Sequence, residues 1–577
     1  MKLAKLNAIF AVLLLMTPVA ALAQANLDPG QLPKSTMFYL AWHGTPSGEA
    51  RKANSLLATW DDADFAPVRA AIVEAMMRSS ADSAKAALTS DELSQYSSLL
   101  DNEIVFGYIA NPSPIKSAGA RSEPPKNTWN GMFLVYDHTG KEATLAKLLL
   151  RIRMNEKDPP KISAATLAGI PAIKMERKDS TTYWADEGRY TLIASESAVF
   201  EDISAWARHA TPAAARLSQA AAYREAGDLL KGGLAEFFFR FPSIREMTWD
   251  SSVGGFRLRP LIQSLKLEAA HSIAGQVALQ GARTRIQGAI LGETNPGSLF
   301  DIWDEGSVLP SSWQFITANT ISYQEWRVNL PGVYTLVKRA LQTTAGAGQP
   351  SAMDFIETGV AKRLGMPLPE AIALFTGEFA TLQSSSTLDP AKQVYVVGIR
   401  KKPAMLKVLR AGLAERIAGE HSEGDTTFLK ISEGGIANAA GTASWKYYHL
   451  AMTPDVIVAS GQDESVRNTL SAGKSTHVEN TFVPLAWQNA RGRFPKTVNG
   501  LNFFNFQTID WTAAKERWIA KSHKATTSRA AQQKVAPGAF ADVVKGLDPR
   551  VFPRHLHMSA GASWKDAQGM HFDGWIE

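Results

Sequence analysis

Cysteine is absent from all 577 residues. That absence excludes disulfide bonds, thiolate metal centres and a cysteine nucleophile. It also excludes a lipoprotein anchor, because the lipidated residue there is a cysteine. A chain of this length buries enough apolar surface to fold without such staples. An excess of one charge is lacking too. Lys and Arg number 61 against 55 Asp and Glu, a formal net charge of +6, which is too small a bias for a nucleic-acid footprint. No apolar run beyond the N-terminus approaches the ~18 residues of a membrane-spanning helix. Sharp catalytic signatures are missing: there is no GxSxG elbow, no HExxH, no Walker loop and no dinucleotide-binding glycine fingerprint. Ser113-Pro114-Ile115-Lys116 has the form S-x-x-K, but Pro112 and Pro114 argue against the helical turn that chemistry uses.

What is present begins with an export signal. Lys2 and Lys5 precede the apolar stretch Ala8 to Met16, and Ala21-Leu22-Ala23 forms a small-x-small cleavage site before Gln24. This pattern predicts a signal peptide over residues 1–23 and a mature protein that is periplasmic or secreted. A hydrophobic content of 45% suits an ordinary folded protein.

The mature chain reads as two diverged copies of one domain, residues 24–300 and 301–577. Leu32-Pro33-Lys34-Ser35 and Leu309-Pro310-Ser311-Ser312 each lead into an apolar segment. Ile104 to Gly107 matches Ala373 to Gly377, and Gly131 to Tyr136 matches Gln393 to Gly398. A helical stripe follows in each copy: Leu145, Leu148, Leu149 and Ile152 in one, Met405, Leu406, Leu409, Leu413 and Ile417 in the other. Tyr190 to Ser195 then matches Asp455 to Ser460, Leu234 to Phe239 matches Leu501 to Phe506, and Ile286 to Ile290 matches Phe572 to Ile576. Strand segments are separated by both helices and short turns. The expected class is therefore α+β, each copy a mostly antiparallel sheet covered by helices. The junction carries the turn signal Asn295-Pro296-Gly297, and loops are expected over residues 116–127, 343–352 and 521–534.

The Leu-Pro-x-Ser openings at Leu32 and Leu309, in a duplicated exported chain, resemble uncharacterised bacterial exported families of the domain-of-unknown-function kind. The resemblance implies an envelope location and brings no catalytic residues with it.

Two aromatic strands, one in each copy, are the candidate ligand-binding elements. Phe237 and Phe239 lie in the first, Phe504 and Phe506 in the second, and alternation puts rings on each face of the sheet. His555 and His557 alternate along an expected strand and His571 follows in the next, a candidate three-histidine metal site. Weighed against that is a plain surface strand with polar outward residues. Asp61, Asp62 and Asp64 suit a helix N-terminus. Asp301, Asp304 and Glu305 straddle the junction, where a carboxylate-pair hydrolase could use them. The basic run Lys515 to Lys534 reads as a solvated helix end. The expectation is a non-catalytic binding or scaffold protein without a cofactor. Its partner would be an envelope protein, a polymer or a lipid-like ligand, held in a cleft between the copies. The alternative is a divergent metal-dependent or carboxylate hydrolase.

Overall fold

The computed structural model describes residues 27–69, 90–110, 131–154, 160–177, 180–241, 269–304, 311–317, 319–344, 350–437, 443–474, 494–517 and 546–577, with a few short stretches between. The expected signal peptide, Ser113 to Lys116, Glu305 and most of the basic run fall outside them.

Twenty strands form one antiparallel sheet. The first ten are β1 (Thr36–Trp42), β2 (Ile104–Ile109), β3 (Met132–Asp137), β4 (Lys161–Leu167), β5 (Ile170–Arg177), β6 (Ser180–Glu187), β7 (Tyr190–Ala194), β8 (Ala235–Arg240), β9 (Ala270–Gln280) and β10 (Arg283–Gly292). The second ten are β11 (Ser322–Arg327), β12 (Phe375–Gln383), β13 (Val394–Ile399), β14 (Ile417–Glu423), β15 (Thr426–Ala437), β16 (Ala443–Met452), β17 (Val456–Ser460), β18 (Gly500–Asn505), β19 (Met558–Asp566) and β20 (Gly569–Ile576).

Pairing runs β4-β5-β6-β7-β3-β2-β1-β8-β9-β10 and continues β20-β19-β18-β11-β12-β13-β17-β16-β15-β14. Counted inward from either end, the strand order is the same. Among the described residues β4 and β14 pair with one strand each, so the sheet is an open ribbon with two edges. The junction near residue 300 does not divide it into two sheets. Instead β10 and β20 pair directly, from Thr284↔Ile576 to Leu291↔Gly569.

Side chains alternate across this sheet, and the two faces differ. On the inner face, helix α4 (Ser197–Ala207) buries Val199, Phe200, Ile203 and Trp206 against Val135, Leu192 and Phe238. These four fall at helical spacing on one stripe. In the second half α8 (Asp463–Lys474) does the same with Val466 and Leu470 over Val396 and Val458. The two cores are separate clusters on one sheet. The chain also forms helices α1 (Gly48–Ala53), α2 (Ser55–Asp61), α3 (Glu142–Met154), α5 (Leu330–Thr344), α6 (Ala352–Leu364), α7 (Lys402–Leu413) and α9 (Val551–His555). Of these, α7 seats Met405 and Val408 against Ile457 and Met452.

Local chemistry sets the boundaries. Ser351 and Asp354 close a capping box at the start of α6, and Gly365 ends it in the left-handed region. The apolar stripe expected to run to Ile417 ends at Leu413: a single tight turn over Ala414–Arg416 intervenes, and Ile417 opens β14. Phe506 likewise leaves its strand and starts a turn capped by the Asn505 side chain. Gly377 sits at φ +90°, and a Cβ there would lie 2.1 Å from the Val328 carbonyl oxygen. Gly377→Ala is expected to cost about 2–4 kcal/mol in urea unfolding. Gly424→Ala, also at positive φ but in open space, should cost only about 1–2 kcal/mol; equal losses would contradict this account.

Candidate functional site

Two buried polar clusters occupy matching places on the inner face. In the first half, Tyr39 of β1 donates to Glu236 of β8 at 3.3 Å. His43, just past β1, sits between two carboxylates, with Nδ1 3.1 Å from Glu103 and Nε2 3.8 Å from Glu236. The Leu27 backbone N–H donates to the other oxygen of Glu103 at 3.1 Å. In the second half, Tyr323 of β11 donates to Glu325 at 3.3 Å. Arg327 bridges Glu325 at 3.3 Å and Glu378 at 3.1 Å, and the Ser312 backbone N–H donates to Glu378 at 2.8 Å.

Register explains the match. Tyr39 lies opposite Gly107 and Phe238, while Tyr323 lies opposite Leu382 and Phe503. Four residues on from each tyrosine comes the cation, His43 or Arg327. The second glutamate exchanges strands: Ala41 faces Glu236 in one half, and Glu325 faces Leu501 in the other. The carboxylate thus fills the same pocket from either side of a strand pair.

Burial governs the electrostatics. It opposes charge on His43, yet the hydrogen bonds to Glu103 and Glu236 outweigh it and push the imidazole up to about 9. Burial together with the Glu378 charge raises Glu325 to about 8, against the pull of Arg327. Burial holds both phenols well above the ordinary tyrosine range. Perturbed groups of this kind are a reason to look for chemistry. Here the carboxylates are 2–4% exposed, beneath packed helices and turns. Among the described residues their hydrogen bonds and ion pairs link neighbouring strands of the sheet.

The histidines expected to form a metal site do not converge. His555 ends helix α9, not a strand, and its Nε2 lies 2.7 Å from Asp62. His557 is exposed in the following link, and its backbone N–H donates to the Glu577 carbonyl. His571, on β20, pairs with Asp566 at 3.0 Å and stacks on Trp564. Among the described residues no group of three or more His, Asp or Glu side chains is placed to hold a metal. The carboxylates have other partners as well. Asp62 and Asp64 bind Arg554 across the halves at 2.5 and 2.9 Å, and Asp301 accepts from the Gly297 N–H.

The four candidate phenylalanines divide differently. Phe238 and Phe503, their neighbours, fill the cores, while Phe237, Phe239 and Phe504 point to the outer face and are half-buried. Phe506 stacks on Trp511 in a satellite cluster with Phe504 and Phe552. Along the outer face one row reads Phe237, Gly275, Gly288, Phe572, Ser563, Gly500, Trp326. Rings lie across the glycines: a Cβ at Gly275 would meet Phe237 at 2.5 Å, and one at Gly288 would meet Phe572 at 2.2 Å. Beside this row Ile286 faces Gly574 and Gly561. Ile286, Phe572 and Trp326 are 36%, 40% and 43% exposed. The window they frame straddles the β10–β20 seam. Phe300 and Trp303 close one end of it. The other end is held by Asn54, which caps α2 and bonds Thr284 of β10.

The seam itself is locked on the opposite face. Arg285 grips Asp573 through two hydrogen bonds of 3.0 and 2.5 Å, and Arg283 pairs with Glu577 while lying over the Trp575 ring. A bidentate pair adds direction as well as energy. Sequence reasoning missed Ile286, Phe572 and Trp326 as surface residues, because alternation alone does not say which sheet face is covered. Among the described residues no helix is long and apolar enough to cross a membrane. No family model, no curated protein and no solved structure matches this chain.

Proposed function

We propose that this chain is an exported, non-catalytic binding protein of the cell envelope, built from two diverged copies of one domain. Its binding surface is the apolar window across the seam. One observation carries the reading: the polar clusters able to do chemistry are sealed, whereas the aromatic and aliphatic residues at the seam are open. Contiguous exposed apolar surface marks an interaction site more often than chance exposure does. The repeated strand order and the matched tyrosine clusters support the duplication. The Lys2 to Ala23 pattern supports export, and the resemblance to uncharacterised exported families agrees with it. The ligand is apolar in contact chemistry, either a segment of an envelope protein or a lipid-like chain.

The test is photo-crosslinking in cells. Benzoylphenylalanine at position 572 is expected to capture one discrete envelope species, and Ile286→Ser with Trp326→Ser should reduce that capture at least tenfold. An exported protein that yields no product from position 572, or equal product from a surface position such as Glu415, would contradict the proposal. Sequencing the purified mature chain should give Gln24 as its first residue.

A further inference from the structure

The two edges of the ribbon occupy equivalent places but are protected differently. Unpaired edge strands invite pairing with another chain, and charged side chains are a usual defence. Strand β14 has that defence. It carries Glu420, His421 and Glu423, with Glu420 paired to Arg410 and Glu423 to Arg467. Strand β4 reads Lys161-Ile162-Ser163-Ala164-Ala165-Thr166-Leu167, with no charge after its first residue. Ile162 on β4 and Ile173 on the adjoining β5 are 41% and 46% exposed. Ala164 faces Ile173, so Ile162, Ala164 and Ile173 share the outer face.

We infer that the β4 edge pairs with β4 of a second copy of this chain, in an antiparallel, two-fold symmetric dimer. Centring the pair on Ala164 sets Ala164 against its own copy, Ser163 against Ala165, Ile162 against Thr166 and Lys161 against Leu167. No like charges meet, and two β-branched pairs form on the outer face. The row Ile173-Ala164 then continues into its own mirror, so the two small alanines meet at the two-fold axis. A self-complementary patch of this kind is what a two-fold interface requires. The same arrangement on β14, centred on Glu420, would set glutamate against glutamate, so only one of the two edges is fit for it.

Light scattering of the full mature chain tests this. The wild type is expected at twice the mass of the chain at micromolar concentration. Ala164→Lys is expected at the monomer mass, still folded by circular dichroism and with an unfolding midpoint that no longer depends on protein concentration. Absence of cysteine makes a second reading clean. Ala164→Cys should form a disulfide-linked dimer under mild oxidation, because a residue opposite its own copy has its Cβ within ~5.5 Å of the partner. His421→Cys on the other edge should form no disulfide-linked dimer. A wild type that is monomeric, an A164K variant that stays dimeric, or an A164C variant that does not crosslink would each overturn the inference. So would a monomer whose β4 edge takes up an unrelated extended peptide instead.

Discussion

Arg327→Met is expected to destabilise the protein by about 3–5 kcal/mol in urea unfolding, the loss typical of removing one partner from a buried ion pair. Arg327 is bonded to both Glu325 and Glu378 in the second cluster, and both carboxylates are buried on the inner face. Without the guanidinium, Glu378 keeps the N–H of Ser312 but loses the Arg327 charge beside it in a poorly solvated site. It must then take up a proton or draw in water, and either costs free energy. The cost therefore belongs to the stranded carboxylate more than to the lost contact. The double variant Arg327→Met with Glu378→Gln should recover most of the loss, and Glu325→Gln alone should cost no more than about 1.5 kcal/mol. An Arg327→Met protein within about 1 kcal/mol of the wild type would mean that the cluster is open to solvent and does not hold the strands.

Stability is expected to fall as pH rises from about 5 to about 9. Burial and Glu378 raise Glu325 from 4.5 to about 8 in the folded protein, against Arg327 and the Tyr323 hydroxyl. Its folded form binds the proton more tightly than the unfolded chain does, so its contribution is full below 4.5 and is lost on the way to 8. His43 moves the same way. Burial opposes its charge, but Glu103 and Glu236 raise it from 6.5 to about 9, and its contribution is lost between those values. Both phenols stay protonated throughout, being held well above their ordinary range. Together the two groups should remove several kcal/mol, at most on the order of 7 kcal/mol, between pH 5 and pH 9. The surface carboxylate Asp548, held down to about 2 by Arg550, acts in the opposite sense only at more acid pH. Urea midpoints across this range should fall steadily, and Glu325→Gln should flatten the part below pH 8. A midpoint that is level or rises toward pH 9 would contradict the assignment.

Strand positions were largely legible in the sequence, and register was not. The runs at Met132–Asp137, Tyr190–Ala194 and Val394–Ile399 are strands where alternation and β-branched content place them. Sequence matching sets Tyr190 against Asp455. The buried faces fall into step when Tyr190 is set against Val456, one residue further on. In a run of similar apolar residues nothing local fixes that last position, and a one-residue slip turns every side chain to the other face. Ile104–Gly107 shows a larger gap. Strand pairing sets Val105 beside Val135 and Ala380 beside Val396, so the sequence match to Ala373–Gly377 lies several residues away from the structural one.

The tyrosine clusters were out of reach for a different reason. Glu103 and Glu236 meet His43 over separations that only the strand order creates, and the exchange between Glu236 and Glu325 leaves no matching column to see. His555 was misjudged because the segment Arg554-His555-Leu556-His557 alternates like a strand. Its backbone instead completes the last turn of α9, where Arg554 and His555 reach Asp62. Ion pairing to the other half of the chain, a tertiary effect, overrode the local pattern.

Hydrogen exchange along the β10–β20 seam bears most directly on the central claim, that the two halves form one body with a binding face built across their junction. The account predicts a single unfolding transition, with the backbone amides of the Thr284 to Leu291 and Gly569 to Ile576 pairing exchanging only through global opening. Two separate transitions, with those amides exchanging before either core opens, would show the halves to be independent and would leave the window without a fixed shape.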